Sequence, residues 1–154
     1  MPTLADTPRY VVPPQVPPVV ALVLIVILNL LVPVPFLPPG VSMAVGIPLL
    51  VIGVGLWSWG ISGLLRGGES PNPSKATARL VTGGPYRFSR NPIYTGGTIG
   101  LLGLALLLDT ATGVAVVAAL ALGAHSVVLA EERYLEAKFG DEWRNYRSRV
   151  RRWL

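Results

Sequence analysis

Long apolar runs and short polar breaks alternate along most of the chain. Residues 16–65 contain no Asp, Glu, Lys, Arg or His, and among these residue types 92–130 contains only Asp109 and His125. A helix rises about 1.5 Å per residue, so each of four apolar segments can cross a hydrocarbon layer of roughly 30 Å. The pattern predicts an all-α membrane protein with about four transmembrane helices, at Val16–Leu37, Val41–Leu65, Pro92–Leu108 and Ala111–Val128.

Prolines and one very short junction define the ends of these helices. Pro33 and Pro35 have no amide donors and are expected to stop or kink the first helix early. The junction Asp109-Thr110 is so short that the third and fourth helices must form a tight hairpin. Their other ends then lie together, which brings the segment 84–94 close to Glu131-Glu132.

Glycines recur on the second and third apolar segments. Gly46, Gly53 and Gly60 follow one another at seven-residue spacing, and Gly96 with Gly100 forms a G-x-x-x-G pattern. Small residues on one face let two helix backbones approach closely in lipid. We therefore interpret these glycines as packing positions that bind no ligand.

The end of the chain is polar but has helical periodicity. Apolar side chains fall three or four residues apart from Leu135 onward, with arginines between them, and Gly140-Asp141 is expected to end one helix and cap the next. This pattern predicts a C-terminal amphipathic helix in the membrane interface, where it meets anionic lipid. Nothing else in the chain resembles a nucleic-acid module, so nucleic acid is not an expected partner.

Composition and charge refine this picture. The 154 residues suit a single integral-membrane domain, with 51% apolar and 14% charged residues. The segment 66–91 carries five basic residues against the single acidic Glu69, a net charge of +4, and the positive-inside rule then places this loop and both termini in the cytoplasm. The predicted parts are an N-terminal arm (1–15), helices 1 and 2 (16–65), a cytoplasmic cofactor loop (66–91), a helical hairpin (92–130) and a cytoplasmic interfacial tail (131–154).

The absence of cysteine and the single histidine exclude several kinds of site. A chain without cysteine has no disulfide, no thiolate nucleophile and no thiolate-bound metal. One histidine is too few for a histidine-built metal centre. No metal site is expected.

The segment 84–94 combines features that suit a small ligand with both signs of charge and an aromatic ring, such as S-adenosylmethionine. Pro92 is expected at the first turn of a helix, where free amides attract a carboxylate, and Arg87 or Arg90 would pair with it. Glu131 is expected at a helix C-terminus, where its charge is unfavourable unless it binds an ammonium or hydroxyl group. Tyr86 and Tyr94 offer ring faces to an adenine or a sulfonium.

Three blocks of the sequence resemble the isoprenylcysteine carboxyl methyltransferase and phospholipid methyltransferase families. The blocks are 80–87 (LVTGGPYR), 90–94 (RNPIY), and Glu131-Glu132 followed by Leu135, Phe139-Gly140, Trp143 and Tyr146. The resemblance implies S-adenosyl-L-methionine bound on the cytoplasmic side by Leu80, Val81, Tyr86, Arg90, Asn91, Pro92, Ile93, Tyr94 and Glu131. Asn91 stands where isoprenylcysteine enzymes have histidine, and Val127 where they have a substrate-binding arginine.

The expected activity is methyl transfer to a lipid-like acceptor, an isoprenylcysteine carboxylate or a phospholipid or isoprenoid head group, with Arg90, Glu131 and Glu132 as catalytic candidates. A carboxylate acceptor needs no base, whereas an amine must lose a proton to Glu132, His125 or solvent. Two alternatives stay open. One is an NAD(P)H-dependent membrane reductase of the sterol-reductase type, which typically has a glutamate where this chain has Gly96-Gly97. The other is a non-enzymatic membrane bundle subunit.

Overall fold

A computed structural model describes residues 16–71 and 77–154; the predicted arm 1–15 and Lys75 lie outside them. Apart from one isolated β-bridge between Ser89 and Arg151, the regular elements of these residues are helices. They are α1 (Val16–Leu31), α2 (Val41–Arg66), a 3-10 helix (Gly84–Arg87), α3 (Pro92–Leu107), α4 (Ala111–Phe139) and α5 (Asp141–Arg149). The prediction of an all-α protein is confirmed for this part of the chain.

Two helices, α2 and α4, are long and apolar enough to cross a membrane. Only 11% of the most apolar stretch of α2 and 17% of that of α4 are buried inside the protein, so neither helix is enclosed by its neighbours. The apolar helices α1 and α3 have 16 residues each, which corresponds to about 24 Å. The described residues thus contain two candidate spans, and the expectation of about four is not confirmed.

Helix α1 ends at Leu31, six residues before the predicted Leu37. Pro33 and Pro35 follow this end and have no amide hydrogen to continue the helix. The segment after α1 is held instead by Asp109, whose Oδ1 accepts hydrogen bonds of 3.0 Å from the amides of Phe36 and Leu37. The turn between α3 and α4 therefore also fastens the end of α1.

Glycines lie at the contact between α2 and α3, which agrees with their interpretation as packing positions. A Cβ atom added to Gly53 would collide with the backbone of Gly100, and one added to Gly96 would collide with the backbone of Trp57. At Gly60 an added Cβ would lie 2.7 Å from the side chain of Ile93. The two backbones approach each other this closely because these positions have no side chain.

Helix α4 continues far beyond the predicted end at Val128. Glu131 and Glu132 consequently lie inside a helix that ends at Phe139, and the expectation that Glu131 stands at a helix C-terminus is wrong. Helical geometry persists here because glutamate, arginine, leucine and alanine are all good helix formers. The apolar run marks the part suited to lipid and leaves the helix boundary undetermined.

The tail forms a second short helix, but not in the predicted environment. Gly140, with φ of +51°, separates α4 from α5, and the side chain of Asp141 bonds to Arg144 instead of capping α5. Trp143 and Tyr146 are 2% and 6% exposed. They pack with Tyr86. These aromatic side chains of the amphipathic helix therefore contact protein, not the membrane interface.

Candidate active site

A cavity of about 820 Å³ lies where the loop before α3 meets α4 and α5. All five helices contribute to its wall, and the volume falls within the range of about 300–1,000 Å³ typical of small-molecule sites. The predicted cofactor-binding residues that line it are Leu80, Val81, Tyr86, Arg90, Asn91, Pro92, Ile93, Tyr94 and Glu131. Glu132 lines it as well, whereas Arg87 is exposed and is not among its lining residues.

The loop wall of the cavity is fixed by Glu69. This buried carboxylate accepts hydrogen bonds from the amides of Ala78, at 3.1 Å, and Arg79, at 2.6 Å. The two bonds hold the chain just before Leu80 and Val81, which line the cavity. Sequence reasoning had counted Glu69 only as a charge of the loop, because the partners are main-chain groups that leave no sequence signal.

Tyr86 connects the loop to α2 and α5. Its hydroxyl donates to the carbonyl of Gly60 at 3.4 Å, and its own carbonyl accepts from the hydroxyl of Tyr146 at 2.7 Å. Burial, together with the negative charge of Glu131, raises the pKa of Tyr86 well above the ordinary value of a phenol. Tyr86 therefore stays neutral at the cavity wall across the physiological pH range.

Glu132 binds two arginines at once. Its Oε1 lies 3.2 Å from Nη2 of Arg90 and 3.0 Å from Nε of Arg152, and its Oε2 lies 2.8 Å from Nη2 of Arg152. The side chains of Arg90 and Glu132 are 7% and 8% exposed. Burial lowers the pKa of Arg90, and the charge of Glu132 opposes that shift.

Two further donors of Arg90 have no partner in the part of the chain that the structure describes. Nε and Nη1 of this guanidinium are buried and have no hydrogen-bond partner among the described residues, and the same holds for Nε1 of Trp143. The guanidinium carbon lies 5.7 Å from the centre of the Trp143 ring, within cation–π distance. Because buried donors normally have acceptors, three such donors on residues that line one cavity are a reason to expect an acceptor in it.

Glu131 differs from its neighbour in the chain. Oε2 of Glu131 accepts a hydrogen bond of 3.4 Å from the hydroxyl of Tyr94. No salt bridge to Glu131 forms among residues 16–71 and 77–154, whereas Glu132 has two. Of these two neighbouring carboxylates, Glu131 is therefore the one that no basic side chain of the described residues neutralises.

The C-terminal segment crosses the polar loop and holds it in place. The amide of Arg90 donates to the carbonyl of Arg151 at 2.9 Å, and Ser89 Oγ and Asn91 Nδ2 donate to the carbonyl of Arg152 at 3.2 and 3.1 Å. Part of the hydrogen-bonding capacity of Asn91 is thus used on the tail. Sequence analysis did not single out Ser89 or Arg152, since Arg152 is one of several arginines in the tail and no spacing distinguishes it.

His125 does not take part in this site. Its side chain is exposed on α4, and its ring lies 6.2 Å from that of Trp153. It is not among the residues that line the cavity. In the described part of the chain, no group of three or more His, Asp or Glu side chains is arranged to hold a metal ion.

Comparison with known proteins assigns the chain to a protein family. The model of the phospholipid methyltransferase family matches residues 41–142, about two thirds of the chain. The chain belongs to the phospholipid methyltransferase family. The match covers α2, α3, α4 and the loop that carries the cavity residues, and it stops at the beginning of α5.

Two curated proteins resemble shorter stretches. An uncharacterized protein of Haemophilus influenzae is 71% identical over 24 residues, 16% of this chain and 38% of that protein. The cobalt-zinc-cadmium resistance protein CzcN of Cupriavidus metallidurans is 38% identical over 72 residues, 46% of this chain and 33% of that protein. The matched regions thus span only about a third of either relative. No solved structure matches the chain.

The chain thus combines membership of the phospholipid methyltransferase family with two candidate membrane spans among its described residues. This agrees with the resemblance noted in the sequence. The family match also favours methyl transfer over the reductase and the non-enzymatic bundle considered above.

Proposed function

We propose that this protein transfers a methyl group from S-adenosyl-L-methionine to a lipid-like acceptor at the cytoplasmic face of a membrane. The observation that carries the proposal is that three residues lining one cavity, Arg90, Trp143 and Glu131, carry buried donors that no described residue pairs with and a carboxylate that no described basic side chain neutralises. When bound, this cofactor supplies a methyl group activated by a positively charged sulfur. The residues present fit its other groups.

Arg90 is suited to the carboxylate of the cofactor. Nε and Nη1 are both donors on one guanidinium, and a carboxylate can accept from an arginine through two hydrogen bonds. Glu131 is suited to an ammonium or a ribose hydroxyl, because its charge is not neutralised by a neighbouring arginine. Tyr86, Tyr94 and Leu80 add aromatic and apolar surface for an adenine.

The rest of the wall suits an apolar acceptor. Pro17 to Val19 of α1 and Ala119, Leu120 and Ala124 of α4 face the same cavity as the polar groups. An acyl or prenyl chain would lie against this surface with its head group toward the polar end. Holding the acceptor atom in line in a water-poor site would provide most of the rate enhancement.

The two glutamates receive different roles. Glu132 is neutralised by two arginines, so it serves to orient Arg90 and is poorly suited to removing a proton. Glu131 touches the space for the ligand and is the better candidate for a cation or proton. A carboxylate acceptor requires no base, and an amine acceptor would use Glu131 or solvent.

The decisive experiment measures label transfer in membranes. Membranes containing the protein are incubated with the cofactor carrying a labelled methyl group, and lipids are extracted. We expect label in the lipid fraction, strongly reduced by Glu131→Gln and retained by Arg133→Gln, a change at an exposed neighbour on α4. Head-group analysis of the labelled lipid then separates phospholipid from isoprenoid acceptors.

Several outcomes would contradict the proposal. Label confined to water-soluble products would refute a lipid-like acceptor. Equal label with wild type and Glu131→Gln would remove Glu131 from the site. Binding of a nicotinamide cofactor without binding of S-adenosyl-L-methionine would favour a reductase instead.

A further inference from the structure

We propose that Arg152 is a positioning residue for cofactor binding: by pairing with both oxygens of Glu132, it leaves two buried donors of Arg90 free to pair with a ligand. The inference rests on the proposed function. It concerns a residue outside the family match, which ends at residue 142.

Glu132 makes more contacts with Arg152 than with Arg90. Arg152 forms two hydrogen bonds, Nε to Oε1 at 3.0 Å and Nη2 to Oε2 at 2.8 Å. Arg90 forms a single contact, Nη2 to Oε1 at 3.2 Å. The carboxylate thus has its two-point partner in Arg152, and Arg90 keeps Nε and Nη1 unused.

Without the Arg152 side chain, the pairing would change. A buried carboxylate and a buried guanidinium favour a two-point contact, since that contact satisfies more donors and acceptors. Arg90 would then turn a second donor nitrogen to Glu132, and only one would remain for a ligand. The cofactor carboxylate would lose a partner although Arg90 itself is unchanged.

The main chain at Arg151 and Arg152 attaches the tail to the loop independently of the Arg152 side chain. Its carbonyl accepts from Ser89 Oγ and Asn91 Nδ2, and the carbonyl of Arg151 accepts from the amide of Arg90. A substitution at 152 keeps all of these acceptors. The variant Arg152→Gln should therefore remove the ion pair while the tail stays attached to the loop.

The test compares two ligands of the purified full-length protein in detergent. S-adenosylhomocysteine carries the amino acid part of the cofactor, whereas methylthioadenosine contains the nucleoside and sulfur but no carboxylate. We expect Arg152→Gln to weaken binding of S-adenosylhomocysteine roughly tenfold or more, as for loss of one charge-assisted hydrogen bond, and to leave methylthioadenosine binding unchanged. The affinity of Arg152→Lys for S-adenosylhomocysteine should lie between those of wild type and Arg152→Gln, because lysine provides a point charge but cannot form the two-point contact.

Matched variants separate positioning from general damage. Arg151→Gln changes an exposed neighbouring arginine and should affect neither ligand. In a Glu132→Gln background, the further change Arg152→Gln should weaken S-adenosylhomocysteine binding little more, because Arg152 is proposed to act through Glu132. Equal weakening of both ligands by Arg152→Gln would show a merely structural role and overturn the proposal.

Failure of this inference is distinguishable from failure of the proposed function. Wild-type protein that binds both ligands, with Arg152→Gln binding them equally well, would overturn only the role of Arg152. Wild-type protein that binds neither ligand would overturn the cofactor assignment, and the role of Arg152 with it.

Discussion

Neighbouring residues at this site have different environments, and Glu131 and Glu132 are the clearest case. They follow each other on α4, yet Glu132 is in contact with two arginines and Glu131 accepts one hydrogen bond from Tyr94. Removing one partner of a buried ion pair leaves an uncompensated charge, which costs far more than the pair contributes. The two residues should therefore respond differently to the same substitution.

We expect Glu132→Gln to lower the free energy of unfolding by about 3 kcal/mol, because Arg90 is left buried without a carboxylate. Glu131→Gln should lower it by less than about 1 kcal/mol, since glutamine can still accept the bond from Tyr94. Both changes in the free energy of unfolding are measured by titrating the detergent-solubilised variants with a denaturing detergent. Equal losses would contradict the assignment of the ion pair to Glu132 alone.

Two arginines of the loop, Arg87 and Arg90, allow a second comparison at this scale. Arg90 lines the cavity with two unpartnered donors, whereas Arg87 is exposed and outside it. We expect Arg90→Gln to weaken S-adenosyl-L-methionine binding roughly tenfold or more and Arg87→Gln to leave it unchanged. Isothermal titration with each variant tests this. Comparable losses at both positions would indicate a non-specific effect of the loop charge.

Among the helices, the pair α2 and α3 forms the most closely packed contact. Glycines at 53, 96 and 100 bring the two backbones together, and α3 in turn starts at Pro92 next to the cavity. The contact therefore fixes where Asn91 to Tyr94 lie. A change in the spacing of α2 and α3 would be transmitted directly to the site.

A methyl group at Gly53 should disturb this contact. An added Cβ would collide with the backbone of Gly100, so we expect Gly53→Ala to destabilise the protein by about 1–3 kcal/mol. Gly55→Ala is the matched control, because nothing lies within 4 Å of a Cβ built there. Alanine is the better helix former, so this control should be neutral or slightly stabilising. Equal stability of the two variants, measured by thermal unfolding in detergent, would refute the close contact.

As a whole, the molecule carries its polar groups at one end of an apolar bundle. The loop with Arg66, Arg79 and Arg87 lies at the end of α2 from which the chain returns into α3, whereas Pro39 and Asp109 lie in the connections at the opposite ends of these helices. Many large apolar side chains of α1 and α2 are exposed, as expected for surfaces that face lipid. The basic end is the expected cytoplasmic side.

This orientation can be tested because the chain contains no cysteine. Arg87→Cys and Pro39→Cys each introduce a single thiol at an exposed position on opposite ends of the bundle. We expect a membrane-impermeant maleimide added to intact cells to label the cysteine at 39 and to label that at 87 only after permeabilisation. The reverse pattern would invert the proposed orientation.

Several features follow from the sequence alone because they depend on local chemistry. Pro33 and Pro35 stop α1 by lacking amide donors, Pro92 starts α3, and Gly140 ends α4. The glycine pattern gives the α2–α3 contact. The predicted cofactor-binding residues other than Arg87 line the cavity, because the short turn between α3 and α4 brings the sequence blocks that carry them together.

The tertiary structure decided the rest. Hydropathy locates residues suited to lipid, and it could not show that α4 continues through Glu131 and Glu132 to Phe139. Helical periodicity gives the apolar face of α5, but only the fold shows that Trp143 and Tyr146 pack on Tyr86. The pairing of Glu132 with Arg152 depends on the path of the tail across Ser89 and Asn91. The sequence does not indicate this partner, because any arginine of the tail could attract a carboxylate. Which of several arginines reaches a buried carboxylate is therefore fixed by the fold.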